Sequence, residues 1–139
     1  MTKILNLNSS CEIQINEVEK LDVLKSIKTI DFLSAYIKFR ENNKILNHLS
    51  KNISLWKIII LIMDAHIKER LISIKDIVYE IQCSSITANS YIHELIKLNL
   101  IILKNDVTDK RKKNIKATKE LSNAMNDFFI FCEYKISNF

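Results

Sequence analysis

The sequence contains no glycine and no proline in 139 residues. Because glycine adopts left-handed backbone conformations at the lowest energetic cost, its absence disfavours tight turns and sheets of many strands. Long hydrophobic runs are also missing: the longest purely apolar stretch is Ile58–Met63, far below the ~18 residues that a membrane helix needs. We expect a mainly helical protein with no membrane contact, in which asparagine, aspartate and serine form the turns.

Cysteine is scarce, and its three copies, Cys11, Cys83 and Cys132, are far apart and include no CxxC pair. This spacing predicts neither disulfides nor a zinc site and is typical of a reducing cytoplasm. The N-terminus lacks the apolar segment of a signal peptide, which also favours a cytoplasmic location. The three histidines have no metal-ligand spacing, and the sequence has no nucleophile motif and no glycine-rich phosphate loop. We therefore expect no enzyme activity, no metal and no cofactor.

The most informative part of the chain predicts a helix over about residues 85–98. Ser84 is a candidate N-cap for this helix. Apolar residues then recur at helical spacing: Ala88, Ile92 and Leu95. The helix is predicted to end at Asn99, since asparagine is the non-glycine residue that best tolerates the left-handed conformation after a helix.

Two apolar runs, Leu100–Leu103 and Ile115–Ala117, flank a polar segment and predict a β-hairpin with a long tip. Residues 104–119 hold seven basic and two acidic side chains, so their balance equals the +5 net charge of the whole chain. A concentrated cationic loop beside an exposed helix is expected where a protein meets nucleic acid. The alternative is a hairpin tip that lysines merely keep soluble.

The segments before this helix predict the rest of a helix-turn-helix. Ser54 is a candidate N-cap for a helix whose buried face holds Leu55, Ile58, Ile59, Ile62 and Met63. Residues 70–72 are a candidate one-rung strand against the hairpin. Ser73 and Asp76 form a candidate capping pair that opens a short helix. Residues 82–84 then have the length of the turn in a helix-turn-helix.

Both ends of the chain predict helices with wide apolar faces. Residues 1–16 have no sustained period and are interpreted as an irregular arm, and a helix with two apolar stripes runs from Glu17 to a break at residues 41–43. A broad apolar surface lies on one helix from Lys119 onward: Leu121, Ala124, Met125, Phe128, Phe129, Phe131, Cys132 and Ile136. We expect these terminal helices to pair with those of a second chain. The alternative is that they cover the winged unit within a monomer.

The predicted fold is mainly α with a small β-hairpin wing, that is, a winged helix-turn-helix with N- and C-terminal dimerisation helices. The chain length predicts a single domain over residues 1–139. Within it, we assign residues 1–50 to the N-terminal arm and dimerisation helix. The winged helix-turn-helix takes residues 54–118, and the C-terminal dimerisation helix takes residues 119–139.

From about Leu55 to Thr118 the sequence resembles the MarR family of bacterial transcriptional regulators. The resemblance rests on the helix end ELIKLNLI and on the wing DVTDKRKKNIKAT, which follows the family pattern of Asp, two residues, Asp and a basic pair before a strand ending in Thr. It implies a homodimer that binds double-stranded DNA, with the recognition helix, about 85–98, in the major groove and the basic wing, about 104–116, in the minor groove. It also implies that the Asp109 carboxylate orients Arg111 into the minor groove.

The candidate DNA-binding residues combine the start and outer face of the recognition helix with the wing. They are Ser84, Ser85, Thr87, Asn89, Ser90, His93, Lys104, Asp109, Lys110, Arg111, Lys112 and Lys113. Asn89 is expected to pair with adenine, and the hydroxyls to reach phosphates or base edges. The start of the helix offers free backbone amides to a phosphate.

The sequence departs from the family pattern at several of these positions. Asn99 and Val107 stand where glycine and proline are frequent, Ser90 stands where arginine is frequent, and residues 84–96 hold no lysine or arginine. Most DNA affinity should therefore come from the wing and fall steeply with salt. A second hypothesis is a winged-helix protein-interaction or replication and assembly module with weak or non-specific DNA binding.

Two further roles stay open. A crevice between the terminal helices and the winged unit could accept a small-molecule effector, as in many MarR relatives. Cys83 lies just before the recognition helix and is a candidate redox sensor, because a thiol near a helix N-terminus can be reactive. The alternative is that Cys83 is a small packed residue in the turn.

Overall fold

The computed structural model describes the backbone of residues 9–137 and the side chains of residues 23–137. This part of the chain forms six helices and one antiparallel hairpin, which confirms the predicted fold class. The helices are α1 (Ser9–Asn42), α2 (Lys44–Ser50), α3 (Ile53–Ile67), α4 (Ile74–Ile81), α5 (Ser85–Lys97) and α6 (Lys119–Ser137). The strands are β1 (Ile101–Asn105) and β2 (Lys113–Ala117). In the hairpin register, Ile101 lies opposite Ala117 and Asn105 opposite Lys113.

Helix α1 begins earlier than the sequence predicted. Its backbone is helical from Ser9, so the assignment of an irregular arm through residue 16 was wrong over residues 9–16. The apolar period is weak there, but no glycine or proline interrupts the helix. The predicted arm over residues 1–8 lies outside the described residues. The predicted break is confirmed, since α1 ends at Asn42 and the Asn43 side chain caps α2 by accepting a hydrogen bond from the amide of Leu46 at 3.1 Å.

The N-cap of α3 is Asn52, and the prediction of Ser54 was wrong by two residues. The Asn52 carboxamide oxygen accepts hydrogen bonds from the amides of Ser54 at 2.9 Å and Leu55 at 3.3 Å. Asparagine and serine cap helices about equally well. The extended backbone of Asn52 therefore decides which residue becomes the cap.

Helix α4 begins and ends as the sequence predicted. Ser73 and Asp76 form a reciprocal capping box, and Gln82 ends the helix in a left-handed conformation with φ of 56°. The predicted one-rung strand at residues 70–72 is displaced by one residue, because the isolated bridge joins Ser73 to Asn114. The adjacent Ile115 amide donates to the Ile72 carbonyl at 2.8 Å. This rung fixes the hairpin against the chain that enters α4.

Asn99 follows α5 in the predicted left-handed conformation, with φ of 59°. The amide of Asn99 donates to the Ile96 carbonyl and that of Leu100 donates to the Leu95 carbonyl, which is the bond pattern of a Schellman motif. The Thr118 hydroxyl lies 2.8 Å from the Asn99 carbonyl oxygen, and the Asn99 carboxamide donates to Glu120 at 2.6 Å. The end of α5 is therefore tied to the first turn of α6.

The core joins the helix-turn-helix to the hairpin and to α6. Its largest fully buried side chains are Leu46, Leu49, Ile58, Ile59, Ile62, Ile77, Ile92, Leu95, Leu100, Ile101, Leu121 and Met125. An aromatic cluster extends this core towards α1, with the Phe128 ring centroid 5.6 Å from that of Tyr36 and 5.8 Å from that of Trp56. The second half of α1 is thereby anchored on α3 and α6.

The described part of α1 that precedes this cluster is exposed. Residues 23–31 are all exposed. Large apolar side chains that are about half exposed or more lie along α1 and at the end of α6: Val23, Leu24, Ile27, Ile30, Leu33, Ile37, Ile130, Tyr134 and Ile136. We call this set the apolar stripe.

No single helix in residues 9–137 is long and apolar enough to cross a membrane, and only α2 and α3 together, bent by 117°, meet the length and composition of a span.

Candidate nucleic-acid interface

Helix α5 presents two opposite faces. Its inner face packs Ala88, Ile92 and Leu95 into the core. The outer face is exposed and follows the helical spacing i, i+3, i+4 and i+7: Ile86, Asn89, Ser90 and His93. Within α5 the outer face carries no lysine or arginine before Lys97, so its first turns offer shape, hydroxyl, amide and imidazole groups to a partner.

Two of the predicted DNA-binding hydroxyls cap the helix. The Ser84 hydroxyl oxygen accepts a hydrogen bond from the Thr87 amide at 3.1 Å, and the same hydroxyl donates to the Thr87 side-chain oxygen at 2.9 Å. These bonds explain why α5 starts where it does. The backbone amides of Ser85 and Ile86 lie in the first turn of α5, and amides in the first turn of a helix have no acceptor within that helix.

The Asn89 side chain is also engaged within the helix. Its amide nitrogen donates to the Ser85 carbonyl oxygen at 2.8 Å. Bidentate pairing with adenine needs one N–H donor and the oxygen acceptor of the carboxamide. Because the carboxamide nitrogen carries two N–H groups, the bond to Ser85 uses one of them and leaves the other N–H and the oxygen for a partner.

The wing tip is built around Asp106. Its carboxylate accepts hydrogen bonds from the Asn114 side chain at 2.9 Å, from the Thr108 hydroxyl at 2.7 Å, and from the amides of Thr108 and Asp109, both at 3.0 Å. The Asn114 bond, followed by the Thr108 and Asp109 bonds, holds the pKa of Asp106 well below its ordinary value of 3.8. A loop that looks flexible in sequence is therefore closed by four bonds to one carboxylate.

Asp109 and Arg111 contact each other at the tip. The Asp109 carboxylate accepts from the Arg111 amide at 3.0 Å and from its guanidinium Nε at 3.3 Å. The Arg111 side chain is 93% exposed. One carboxylate thus orients a guanidinium whose outer nitrogens stay available, which is the geometry that the family resemblance implied for this pair.

The remaining wing cations point into solvent. Lys104, Lys110, Lys112 and Lys113 are all exposed. Sequence reasoning did not select Lys75, in the first turn of α4, which lines an open groove of about 680 Å³ together with Arg111, Lys112 and Lys113. A cue was available, since Lys75 lies between the two residues of the predicted capping box. The structure brings this cation to the wing across the rung at Asn114.

A contact between His48 and Glu94 joins α2 to α5. The His48 Nε2 atom lies 2.8 Å from the Glu94 carboxylate. Glu94 is the sole carboxylate in α5, so this contact restrains the one acidic side chain of the helix.

The two cysteines with described side chains are free and half-buried. Cys83 packs beside the core in the turn before α5, and Cys132 packs on α6, where burial raises the pKa of its thiol. Cys83 thus occupies the turn position that the redox hypothesis requires, although it is partly covered. Among residues 23–137, no cluster of His, Cys, Asp and Glu has the arrangement of a metal site.

No protein-family model and no curated protein matches the chain. Solved structures do. The heme sensor PefR from Streptococcus agalactiae, in complex with heme, superposes with a TM-score of 0.55 at 22% identity, covering 96% of this chain and 78% of PefR. The transcriptional regulator BldR from Sulfolobus solfataricus superposes with a TM-score of 0.51 at 14% identity, covering 87% of this chain and 81% of BldR.

The chain has the winged-helix fold of MarR-type regulators. At these identities the likeness establishes the fold, which confirms the order of helices, helix-turn-helix, wing and long final helix that the resemblance implied. In this fold α5 is the second helix of the helix-turn-helix and the β1–β2 hairpin is the wing. DNA contact by the candidate residues remains a prediction.

Proposed function

We propose that this protein is a DNA-binding transcriptional regulator of MarR type that acts as a homodimer. The observation that carries the proposal is the wing, a compact loop in which Asp106 fixes the backbone and Asp109 orients Arg111. In the proposal, α5 enters the major groove and the wing follows the adjacent minor groove. The DNA contacts lie within residues 54–118, the winged helix-turn-helix. Residues 1–50 and 119–139 hold the two chains of the dimer together, and all three segments belong to a single domain.

The charge distribution supports DNA as the partner. The wing segment carries the whole net charge of the chain, and Lys75 adds a further cation at the groove beside it. A duplex attracts such a surface through counterion release, which makes affinity strongly dependent on salt. A narrow minor groove also attracts arginine in particular.

The apolar stripe supports a dimer. Exposed large apolar side chains grouped on two helices in this way are typical of a protein–protein interface. Pairing two copies through α1 and α6 covers the stripe and presents two recognition helices related by two-fold symmetry. Such a dimer fits a pseudo-palindromic site whose half-sites lie about one helical turn apart, roughly 34 Å.

A small-molecule effector remains part of the proposal. PefR is a heme sensor whose structure contains heme, and regulators of this fold can join ligand binding to DNA binding. In this chain a crevice of about 310 Å³ lies between α3 and α6, lined in part by Met63, His66 and Phe129. It lies between the winged unit and the terminal helix, where the sequence leaves room for a small-molecule effector.

The test is selection of bound sequences from random duplex DNA by the purified full-length protein. Enrichment of an inverted repeat supports the regulator. Salt-sensitive binding without any enriched motif contradicts a sequence-specific regulator and favours an architectural DNA-binding role. Complete absence of binding contradicts DNA as the partner.

A second candidate is a winged-helix protein-interaction or replication and assembly module. It is favoured by the outer face of α5, which lacks the cations that usually contact phosphates and guanine. Weak or absent DNA binding in the selection, combined with a stable dimer, is the outcome that this second candidate predicts.

A further inference from the structure

Ile86 is the large apolar residue most fully exposed on the recognition helix. Its side chain is 84% exposed, whereas Ile96 in the same helix is 36% exposed. Ile86 is the second residue of α5 and lies opposite the buried face formed by Ala88, Ile92 and Leu95. Its neighbours on the outer face, Asn89 and Ser90, are polar. An aliphatic side chain with this exposure packs little against the described residues of its own chain.

The first turn of a recognition helix is the part that meets base edges in the major groove. Of the four bases, only thymine presents an apolar group there, its C5-methyl group. An aliphatic side chain can distinguish a base in this groove by covering that methyl group. We propose that Ile86 contacts the C5-methyl group of one thymine in each half-site, through the major groove. The preferred DNA is then a duplex that has a thymine at this position of each half-site. This inference rests on the proposed function.

The rest of the outer face leaves this apolar contact to Ile86. Guanine is usually read by a bidentate arginine or lysine, and α5 holds neither before Lys97. Asn89 and Ser90 are polar, and the Ser84 hydroxyl caps the helix and donates to the Thr87 hydroxyl. Ile86 is therefore the residue of the first turn that can cover a thymine methyl group.

The wing favours the same kind of DNA by an independent route. Arg111 is 93% exposed and oriented by Asp109, and arginine prefers the narrow minor groove of A·T-rich segments. A thymine in the major groove and an A·T-rich minor groove beside it are compatible in one half-site. Both features point to an A·T-rich operator.

The experiment uses the full-length protein and the duplex obtained from the selection. Each thymine is replaced in turn by deoxyuridine, which removes only the C5-methyl group, and affinity is measured by fluorescence anisotropy. We compare the native chain with Ile86→Ala and Ile86→Val. The control is Val107→Ala, since Val107 is 97% exposed on the wing, and the minor groove displays no thymine methyl.

We expect one thymine per half-site at which deoxyuridine weakens binding by about fourfold, the equivalent of one buried methyl group. The native chain and Val107→Ala should both show this loss, Ile86→Val should show a smaller one, and Ile86→Ala should show none. Equal losses in the native chain and Ile86→Ala, or no loss at any thymine, would overturn the assignment of Ile86. Binding without a deoxyuridine effect leaves the proposed regulator intact, whereas no binding by the native chain to any duplex contradicts the regulator itself.

Discussion

The Asp106 carboxylate accepts a hydrogen bond from the Asn114 side chain at 2.9 Å, which joins the start of the wing tip to the strand that returns from it. Asn114 is buried and also forms the single bridge to Ser73 before α4. The wing tip, the returning strand and the helix-turn-helix are thus connected by the side-chain bond between Asp106 and Asn114 and by the backbone bridge between Asn114 and Ser73. Arg111 owes its position to this connection as well as to Asp109.

Asp106→Ala is expected to weaken DNA binding by roughly tenfold, because the wing must then be ordered during binding. The direction of the change in DNA affinity distinguishes the charge of Asp106 from its positioning role. Removing a negative charge from a cationic wing should strengthen attraction to DNA, so a loss of affinity isolates the positioning role of the carboxylate. Fluorescence anisotropy with the selected duplex measures the effect, and a gain in affinity would contradict the role assigned to Asp106.

Acid should disorder the wing only well below the ordinary aspartate range. The pKa of Asp106 in the folded protein lies below its value of 3.8 in an unfolded chain. The contribution of the Asp106 carboxylate to the stability of the wing is therefore complete above pH 3.8 and is lost as pH falls through the pKa of the folded state. We expect the amide resonances of Thr108 and Asp109 to keep their folded positions as pH passes 3.8. Their collapse at or above that pH would show that the four bonds to Asp106 are not maintained in solution.

Asp109→Ala combined with Arg111→Ala should weaken DNA binding strongly and leave the fold unchanged, since the Arg111 side chain is 93% exposed, the Asp109 side chain is 47% exposed, and they bond each other. The double change should also lower the slope of log affinity against log salt concentration by about one, which corresponds to one counterion fewer released on binding. Gel-shift titration at several salt concentrations measures both quantities. Lys57→Ala, which removes an exposed cation from α3, is the matched control, and unchanged affinity in the double variant would refute the wing assignment.

Ile30→Glu should convert a dimer into a monomer. Ile30 is 62% exposed at the centre of the apolar stripe on α1, and a carboxylate buried at an interface without a partner is strongly unfavourable. Light scattering after size-exclusion chromatography gives the mass, and circular dichroism tests the fold. Val107→Glu makes a comparable change on the wing and should leave the mass unaltered. A native chain that is already monomeric would contradict the proposed dimer.

Glycine at Glu69 or Gln82 should stabilise the protein. Both residues have positive φ angles, 53° and 56°, a conformation that costs a residue with a Cβ about 1–2 kcal/mol, partly offset by the greater entropy of unfolded glycine. We expect each variant to unfold at a higher temperature, with a net gain of about 0.5–1 kcal/mol. Lys51→Gly is the control, because the φ of Lys51 is −72° and glycine there should destabilise.

The sequence predicted best where the decisive signal was local. Ser84, the capping pair at Ser73 and Asp76, and the left-handed residue Asn99 each act through bonds to residues a few positions away. The choice of Asn52 over Ser54 was missed because both are good caps and only the backbone path separates them. The start of α1 was missed because the apolar period, a tertiary signal, does not mark where a helix backbone begins.

The interface was harder to predict than the fold because its side chains interact across the chain. Nothing in the spacing of Asp106 and Asn114 indicates that they meet, since this depends on the hairpin register. The bond from Asn89 to Ser85 was not anticipated either, although its i, i+4 spacing is favourable. Lys75 joins the wing only through the three-dimensional path of the rung at Asn114.

The bonds at Asn99 have a mechanical consequence. Because the Thr118 hydroxyl lies 2.8 Å from the Asn99 carbonyl oxygen and Asn99 donates to Glu120, any swing of α6 is transmitted to the trailing end of α5. In a two-chain assembly joined through α6, the pitch of each recognition helix would follow the angle between the subunits. A molecule that binds between the subunits and moves them apart would then change how deeply both helices enter the major groove, without contacting either helix.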